Sequence, residues 1–266
     1  VKDSVVPVKR ARRSVQSVDR ALDLLEALAA ADGEVSITAL AARTGLHVST
    51  VHRLLSTLLR RGYVRQNTET SRYYAGAKLA MLAEGRSRFG EMRYRARPIL
   101  RAITEATRET ANLVVLDDAA AVYIETVPSP QVVRLFTAIG NRVPLHATGA
   151  GKCLLAAMPT AKRDLLLERL DLRTYTPHTI VDRAALRRAL DEARERGFTI
   201  DDEEYDDGVR CIALPVGGMN EAIAAISVSA PASRFTRQRC LELVPLLRRS
   251  AAELAAAVRE RGDVPA

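Results

Sequence analysis

Tryptophan is absent, phenylalanine occurs four times and tyrosine seven, so aromatic residues supply only 4% of the 266 positions. No apolar run approaches the ~20 residues that a bilayer-spanning helix needs, which excludes an integral membrane protein of helical type. Cysteine is scarce as well. Cys153, Cys211 and Cys240 are odd in number and far apart, which argues against a disulfide framework and for a reducing cytoplasm. Those cysteines and the four histidines (His47, His52, His146, His178) show no zinc spacing. The opening VKDSVVPVKRARRS is basic but has no apolar core or cleavage site behind it, so it does not read as a secretory signal.

What is present belongs to a globular chain: 47% hydrophobic and 27% charged residues. A length of 266 residues suggests two domains. The 40 basic and 32 acidic residues leave a net charge of +8. Residues 1–90 carry 15 Lys/Arg against 8 Asp/Glu, and the remaining 176 carry 25 against 24, so the excess is +7 in the first third and +1 in the rest. A cationic head on a nearly neutral body points to a polyanion partner for the head and a different task for the body.

Residues 1–13 show no helical period and read as a disordered basic arm. From Ser17, a plausible N-cap, the apolar residues Val18, Ala21, Leu22, Leu25 and Leu28 recur at helical spacing until Ala31-Asp32-Gly33. A short second helix follows Ser36 and ends at Thr44-Gly45. A third starts near Ser49 and ends at Gly62. Tyr63–Arg65 and Arg72–Tyr74 read as two strands around the polar tip 67–71. Three helices, a tight glycine turn and a hairpin within about 60 residues describe a helix-turn-helix with a wing.

The stretch Ala77–Glu84 reads as a helix leading to a connection at Gly85-Arg86-Ser87, and another helix covers Arg93–Thr110. Strands are expected over Asn112–Asp117, Ala121–Val127, Val132–Ala138, Phe198–Ile200, Cys211–Val216 and Ala222–Ser229. A loop is expected over Asn141–Thr148. Helices are expected over Ala150–Ala157, Ala161–Leu170, Arg183–Arg196 and Arg237–Arg259. The fold class is α+β, with a winged helix-turn-helix over 14–76, a linker helix over 77–90 and a mixed α/β domain over 91–260.

On a helical wheel, Val51, Leu54, Leu55 and Leu58 share one side of the third helix. Ser49, Arg53, Ser56 and Arg60 take the other side, with Thr57 beside them. That short, polar, cationic stripe suits the major groove of duplex DNA. Arg53 has the fork that reads guanine, and Ser49 or Thr50 can bond a base or a phosphate. Arg60 suits phosphate, which sets affinity without carrying sequence information. Ser36, His47 and His52 are weaker members of the DNA-binding set. Arg65 and Arg72 sit on the wing, placed for backbone or minor groove.

These residues resemble the IclR family of bacterial transcription regulators. SVDRALDLLEALAA, ITALAARTGLHVSTVHRLLSTLLRRGYV and YYAGAKLAMLA are similar to that family's DNA-binding domain. VPLHATGAGKCLLA, GFTIDDEEYDDGVRCIALPV and AIAAISVSAP look like three segments of its effector-binding domain. The resemblance runs from about residue 14 to about 258 in the family's order. It implies a GAF/PAS-like ligand domain, a homodimer formed through the DNA-binding part and linker helix, often a dimer of dimers, and a small organic acid as effector. By position it places Leu145, Gly149, Ala150, Asp201, Cys211, Ser227 and Ser229 in the effector pocket. Elementary chemistry agrees in part. A helix opening at Gly149 offers free N–H groups to a carboxylate, and Ser227 and Ser229 share one strand face. Asp201 fits less easily, because a carboxylate beside an anion must be protonated or bridged by a donor.

Enzymatic readings fail on spacing. Gly149-Ala150-Gly151-Lys152 invites a phosphate loop, but His146 and Cys153 stand where that motif needs Gly and Ser or Thr, and Leu154 breaks the dinucleotide pattern. His146 and Cys153 have no orienting acid nearby in sequence. The run 201–207 can be imagined around a hard cation, though such runs are more often solvated loops. No cofactor is called for. The expected function is a cytoplasmic, sequence-specific regulator that binds double-stranded operator DNA. The rivals are an enzyme on a small organic acid with an accessory DNA-binding domain, and an architectural DNA-binding protein.

Overall fold

The computed structural model describes residues 15–31, 33–84 and 89–259. The expected basic arm 1–13, Asp32 and the connection at Gly85-Arg86-Ser87 lie outside them. The chain forms two units, divided between residues 87 and 88.

In the first unit, α1 (Gln16–Ala29), α2 (Ile37–Thr44) and α3 (Val48–Arg60) precede the antiparallel pair β1 (Val64–Gln66) and β2 (Tyr73–Ala75), and α4 (Ala77–Glu84) follows. The Ser36 hydroxyl caps α2 by accepting from the Ala39 N–H at 3.2 Å. Gly45 ends α2 at φ 65°, a left-handed conformation that sets the sharp turn into α3. Leu24, Leu28, Leu40, Val51, Leu55, Leu58, Val64 and Tyr73 form the core. Truncating one such leucine to alanine costs about 2–5 kcal/mol.

Two expectations for this unit need correction. The first helix begins at Gln16 behind Val15, with no side-chain cap, so Ser17 is not its N-cap. Its inward stripe is rotated too: Leu24 and Leu28 are buried, whereas Val18 and Leu22 are 53% and 50% exposed. Helical spacing alone cannot choose between two adjacent apolar stripes; the contacts with α2 and β2 decide.

The second unit is a six-stranded antiparallel sheet in the order β5-β4-β3-β8-β7-β6. Its strands are β3 (Thr110–Asp117), β4 (Ala120–Val127), β5 (Arg142–Val143), β6 (Thr199–Asp202), β7 (Val209–Val216) and β8 (Ala224–Pro231). One face packs on α5 (Gly90–Thr107) and α9 (Arg237–Arg259) through Ile212, Leu214, Ile226 and Val228. The other carries α6 (Gly149–Ala156), α7 (Thr160–Arg169) and α8 (Arg183–Arg196) over Val114, Ala213 and Ala225. Strand alternation therefore sends Ser227 and Ser229 to the α6 side, opposite Ile226 and Val228.

Val132–Ala138 is not a strand, although its β-branched and aromatic residues mimic one. The short β5 already pairs with β4, at Ala121↔Val143 and Val122↔Arg142, within the stretch expected to be loop. At the far end of β4, Ser129 turns the chain aside: its N–H donates to Thr110 Oγ1 at 3.1 Å and its hydroxyl donates to the Arg108 carbonyl at 2.7 Å. The segment then crosses the surface with Val132 and Phe136 96% and 91% exposed.

Candidate functional site

The first candidate surface is the outer side of α3. His47 caps the helix, its Nδ1 lying 3.5 Å from the Ser49 N–H and 2.9 Å from the Ser49 hydroxyl. The helix thus begins one residue earlier than expected, which puts Ser49 and Thr50 in its first turn. Ser49, His52, Arg53, Ser56, Thr57 and Arg60 are exposed, while Val51, Leu55 and Leu58 are buried against the rest of the unit. Thr57 returns its hydroxyl to the Arg53 carbonyl at 3.4 Å. Arg65 on β1 and Arg72 just before β2 are exposed as well. Among the described residues, none of Arg53, Arg60, Arg65 and Arg72 is in a salt bridge. A row of solvated cations on an otherwise well-packed helix is what a polyanion meets first. Ser36 differs from the rest: it is half-buried, and its hydroxyl is occupied in capping α2 and in a 3.0 Å contact with Thr38 Oγ1.

The second candidate site is a cavity of about 110 Å³ between the sheet and the start of α6. Its floor is a cross-strand row. Asp201 stands opposite Cys211, and Cys211 opposite Ser229, in register across β6, β7 and β8. Its far wall is the N-terminus of α6 with Gly149 and Ala150. Thr148 caps that helix, accepting from the Gly151 N–H at 3.1 Å and donating to the Pro144 carbonyl at 2.8 Å. The N–H groups of Gly149 and Ala150 remain at the open, positive end of the helix.

Glycine is required here for closeness. A Cβ on Gly149 would stand 3.1 Å from Cys211 Sγ, and one on Gly151 would stand 2.6 Å from Leu145 Cα and its carbonyl oxygen.

Five of the seven expected pocket residues, Gly149, Ala150, Asp201, Cys211 and Ser229, line this cavity. Leu145 and Ser227 do not. Leu145 is buried beneath α6, where its backbone meets Gly151. Ser227 is fully buried one row further along β8 and accepts from Asn112 Nδ2 at 3.4 Å. Two serines on one strand face are two residues apart along it, and the cavity reaches only the outer one. Sequence reading missed Tyr123, Asn141, Val143, Thr148, Tyr205, Asp206, Val209 and the segment 135–137, which complete the lining. Tyr123 carries no local signal; the register of β4 brings it to this face.

Electrostatics at the floor follow from burial. The Asp201 carboxyl is pushed up to about 7, first by loss of solvent and further by the Glu204 charge, against the pull of Lys152 and the Glu204 N–H. Glu204 N donates to Asp201 Oδ1 at 2.8 Å. Burial pushes the Cys211 thiol up to about 12, and the Asp201 charge adds to the effect. Cys153 is raised still further by burial. Neither is a thiolate at neutral pH.

The acidic run beside the cavity is engaged over 201–204, whereas Asp206 and Asp207 are exposed as a solvated turn. Glu204 is buried in an ion pair with Lys152, whose Nζ also donates to the Ile200 carbonyl at 2.8 Å. Arg210 pairs with Asp202 at 2.5 Å and with Glu203 at 3.3 Å. The ring of His146 is committed to the Arg173 carbonyl at 2.9 Å. Among the described residues no cluster of His, Cys, Asp and Glu is arranged to hold a metal ion, and no helix is long and apolar enough to cross a membrane.

Comparison with known proteins bears on both units. Residues 17–68 match the model of the IclR helix-turn-helix domain, and residues 90–256 match that of the bacterial transcriptional regulator IclR C-terminal domain. The acetate operon repressor of Salmonella typhimurium is 37% identical over 94% of this chain and 96% of its own length. The crystal structure of the Thermotoga maritima IclR superposes with a TM-score of 0.73 at 28% identity, covering 91% of this chain and 98% of that one. An IclR homolog from Microbacterium hydrocarbonoxydans, complexed with 4-hydroxybenzoate, shares the fold with a TM-score of 0.70 at 24% identity, over 92% of this chain and 99% of that one. With both units matched and the Salmonella repressor aligned nearly end to end, the chain belongs to the IclR family of bacterial transcriptional regulators and is a DNA-binding regulator of transcription.

Proposed function

We propose that α3 enters the major groove of operator DNA, with Arg53 and the first-turn residues Ser49 and Thr50 reading base edges. Arg60 holds phosphate, and Arg65 and Arg72 bring the wing to the backbone or minor groove. His47, His52, Ser56 and Thr57 border that contact. Ser36 serves it only through the cap of α2. The observation that carries this reading is the exposed stripe of α3, whose arginines have no acidic partner among the described residues.

The cavity of the second unit is assigned to a small organic acid. Its carboxylate is received by the N–H groups of Gly149 and Ala150, with Asp201, Cys211 and Ser229 beneath it. Leu145 and Ser227 support the site from behind. That a protein of the same fold was crystallised with 4-hydroxybenzoate supports an acid as the class of ligand. The ligand shifts DNA binding only as far as it prefers one arrangement of the chain over another.

The exposed apolar stripe of Val15, just before α1, and Val18 and Leu22 on it, together with exposed Met81 and Leu82 on α4, supports a homodimer formed through the first unit. A dimer of dimers extends the same logic, and two-fold symmetry calls for a pseudo-palindromic operator. The protein is not an enzyme on this reading, since the Cys211 thiol in the cavity and the buried Cys153 thiol are held protonated and His146 is committed to a carbonyl. Acting on the chromosome places it in the cytoplasm.

A thermal-shift screen of small carboxylic acids, paired with gel shifts on promoter fragments, tests both halves. A specific acid is expected to raise the melting temperature and alter DNA retention. Retention that no acid alters would favour an architectural protein, and turnover of an acid or its ester would favour an enzyme.

A further inference from the structure

The tip of the wing is tied to the segment between α1 and α2 by the side chain of Glu34. Val35 exchanges two backbone hydrogen bonds with Tyr73, each 2.8 Å, so residue 34 lies alongside the hairpin. From there Glu34 Oε1 accepts from Asn67 Nδ2 at 2.6 Å, and Oε2 accepts from the Thr70 hydroxyl at 2.7 Å. Both donors shape the wing tip. Asn67 Oδ1 accepts from the N–H groups of Glu69 and Thr70 at 2.8 and 3.2 Å, which closes the turn. Thr70 Oγ1 accepts from the Arg72 N–H at 3.3 Å, which passes the tether to the cation itself. The two donors, with the Arg72 charge adding a smaller pull, hold the Glu34 carboxyl below its ordinary value and favour its charged form.

That charge is the wrong sign for a surface meeting DNA, because a carboxylate beside the wing repels phosphate. Its retention there needs another reason, and the bonds supply one. We propose that Glu34 is a positioning residue for DNA binding, fixing the tip over residues 67–70 so that Arg65 and Arg72 reach the duplex together. The proposal rests on the wing–DNA contact proposed above. Loss of the tether lets the tip sample other conformations, and ordering it again on DNA costs affinity.

Charge and position predict opposite signs, which makes the test sharp. The full chain is titrated by fluorescence anisotropy onto a mixed-sequence duplex at several salt concentrations. Each phosphate contact contributes about −0.9 to the slope of log K against log salt. With Glu34→Ala, affinity is expected to fall roughly fivefold and the slope to flatten by about one, despite removal of a repelling charge. Thr70→Val, which removes one donor and no charge, is expected to shift both in the same direction by less. It also guards against a misfolded alanine variant. Glu34→Gln, which keeps an acceptor, is expected to retain most of the slope. Equal or tighter binding by both Glu34→Ala and Thr70→Val, with unchanged slopes, overturns the proposal. If the Arg65→Ala/Arg72→Ala double variant flattens the slope while those two do not, only the tether is wrong. If the double variant leaves the slope unchanged as well, the wing does not touch DNA, and the tether falls with that contact.

Discussion

The two units treat the same side chain in opposite ways. In the first, Arg53, Arg60, Arg65 and Arg72 stand in solvent outside any salt bridge among the described residues, although the Arg72 charge is felt at Glu34. In the second, two arginines are fastened, although others such as Arg101 and Arg188 stay exposed. Arg210 is 12% exposed, pairs with Asp202 and Glu203, and donates to the carbonyls of Ala232 and Phe235 at 3.1 and 2.7 Å. Arg163 is buried against Asp164 and Asp191. An unpaired surface cation contributes little to its own fold and much to a partner's, whereas a paired, half-buried one is architecture. The contrast explains why the charge excess in the first third of the chain was informative and the many charges elsewhere were not.

Four substitutions sharpen or break that contrast. The largest effect is expected from Gly151→Ala, because the added Cβ would meet the Leu145 backbone and Thr148 Oγ1 at 2.6 Å. Overpacking against backbone is expected to destabilise the second unit by about 3 kcal/mol. Chemical denaturation monitored by circular dichroism measures it, and a loss under about 1 kcal/mol would show the site to be looser than described. Arg210→Ala comes next, at about 2 kcal/mol, since it strands two carbonyls and leaves Asp202 only the more distant Arg237 at 3.4 Å. Arg53→Ala is expected to leave stability within about 0.5 kcal/mol of wild type. Its cost is expected in discrimination between operator and mixed-sequence DNA, about 1–3 kcal/mol by competition gel shift. A destabilised Arg53→Ala protein, or an unaffected Arg210→Ala one, would erase the distinction between the units.

The smallest effect concerns Asp201. In the folded protein its carboxyl ionises near 7, and in the unfolded chain near the ordinary 3.8, so the native state binds more protons between those values. Its contribution to stability is therefore complete below about 3.8 and is lost as pH rises through about 7. Asp201→Asn is expected to melt a few degrees higher than wild type at pH 8, with the gap closing toward pH 4. A gap that widens on acidification would contradict the buried position of this group.

How much of this was legible in the chain depended on how local the signal was. The turn at Gly45, the helix start after Ser36 and the opposed faces of α3 are written within a few residues of one another, and the structure keeps all three. The outer limits of α8 and α9, Arg183–Arg196 and Arg237–Arg259, were equally plain. Non-local features were not. Val132–Ala138 has strand composition, but strand pairing is decided by the partner edge, and β5 holds it. Ser227 and Ser229 are alike in sequence, and only the sheet register puts Ser229 in the cavity row and Ser227 behind it. Tyr123 became visible for the same reason. The first part of the acidic run, 201–204, reads like a solvated loop because the arginines and the lysine that engage it come from β7, α9 and α6.

The central claim, that the outer face of α3 meets DNA, is tested most directly by the salt dependence of duplex binding for wild type and Arg60→Ala. Wild-type affinity is expected to fall steeply and linearly on a log–log plot. Arg60→Ala is expected to bind every sequence more weakly, with a slope reduced by about 0.9. No association of the wild type even in dilute buffer, or identical slopes for the two proteins, would contradict it.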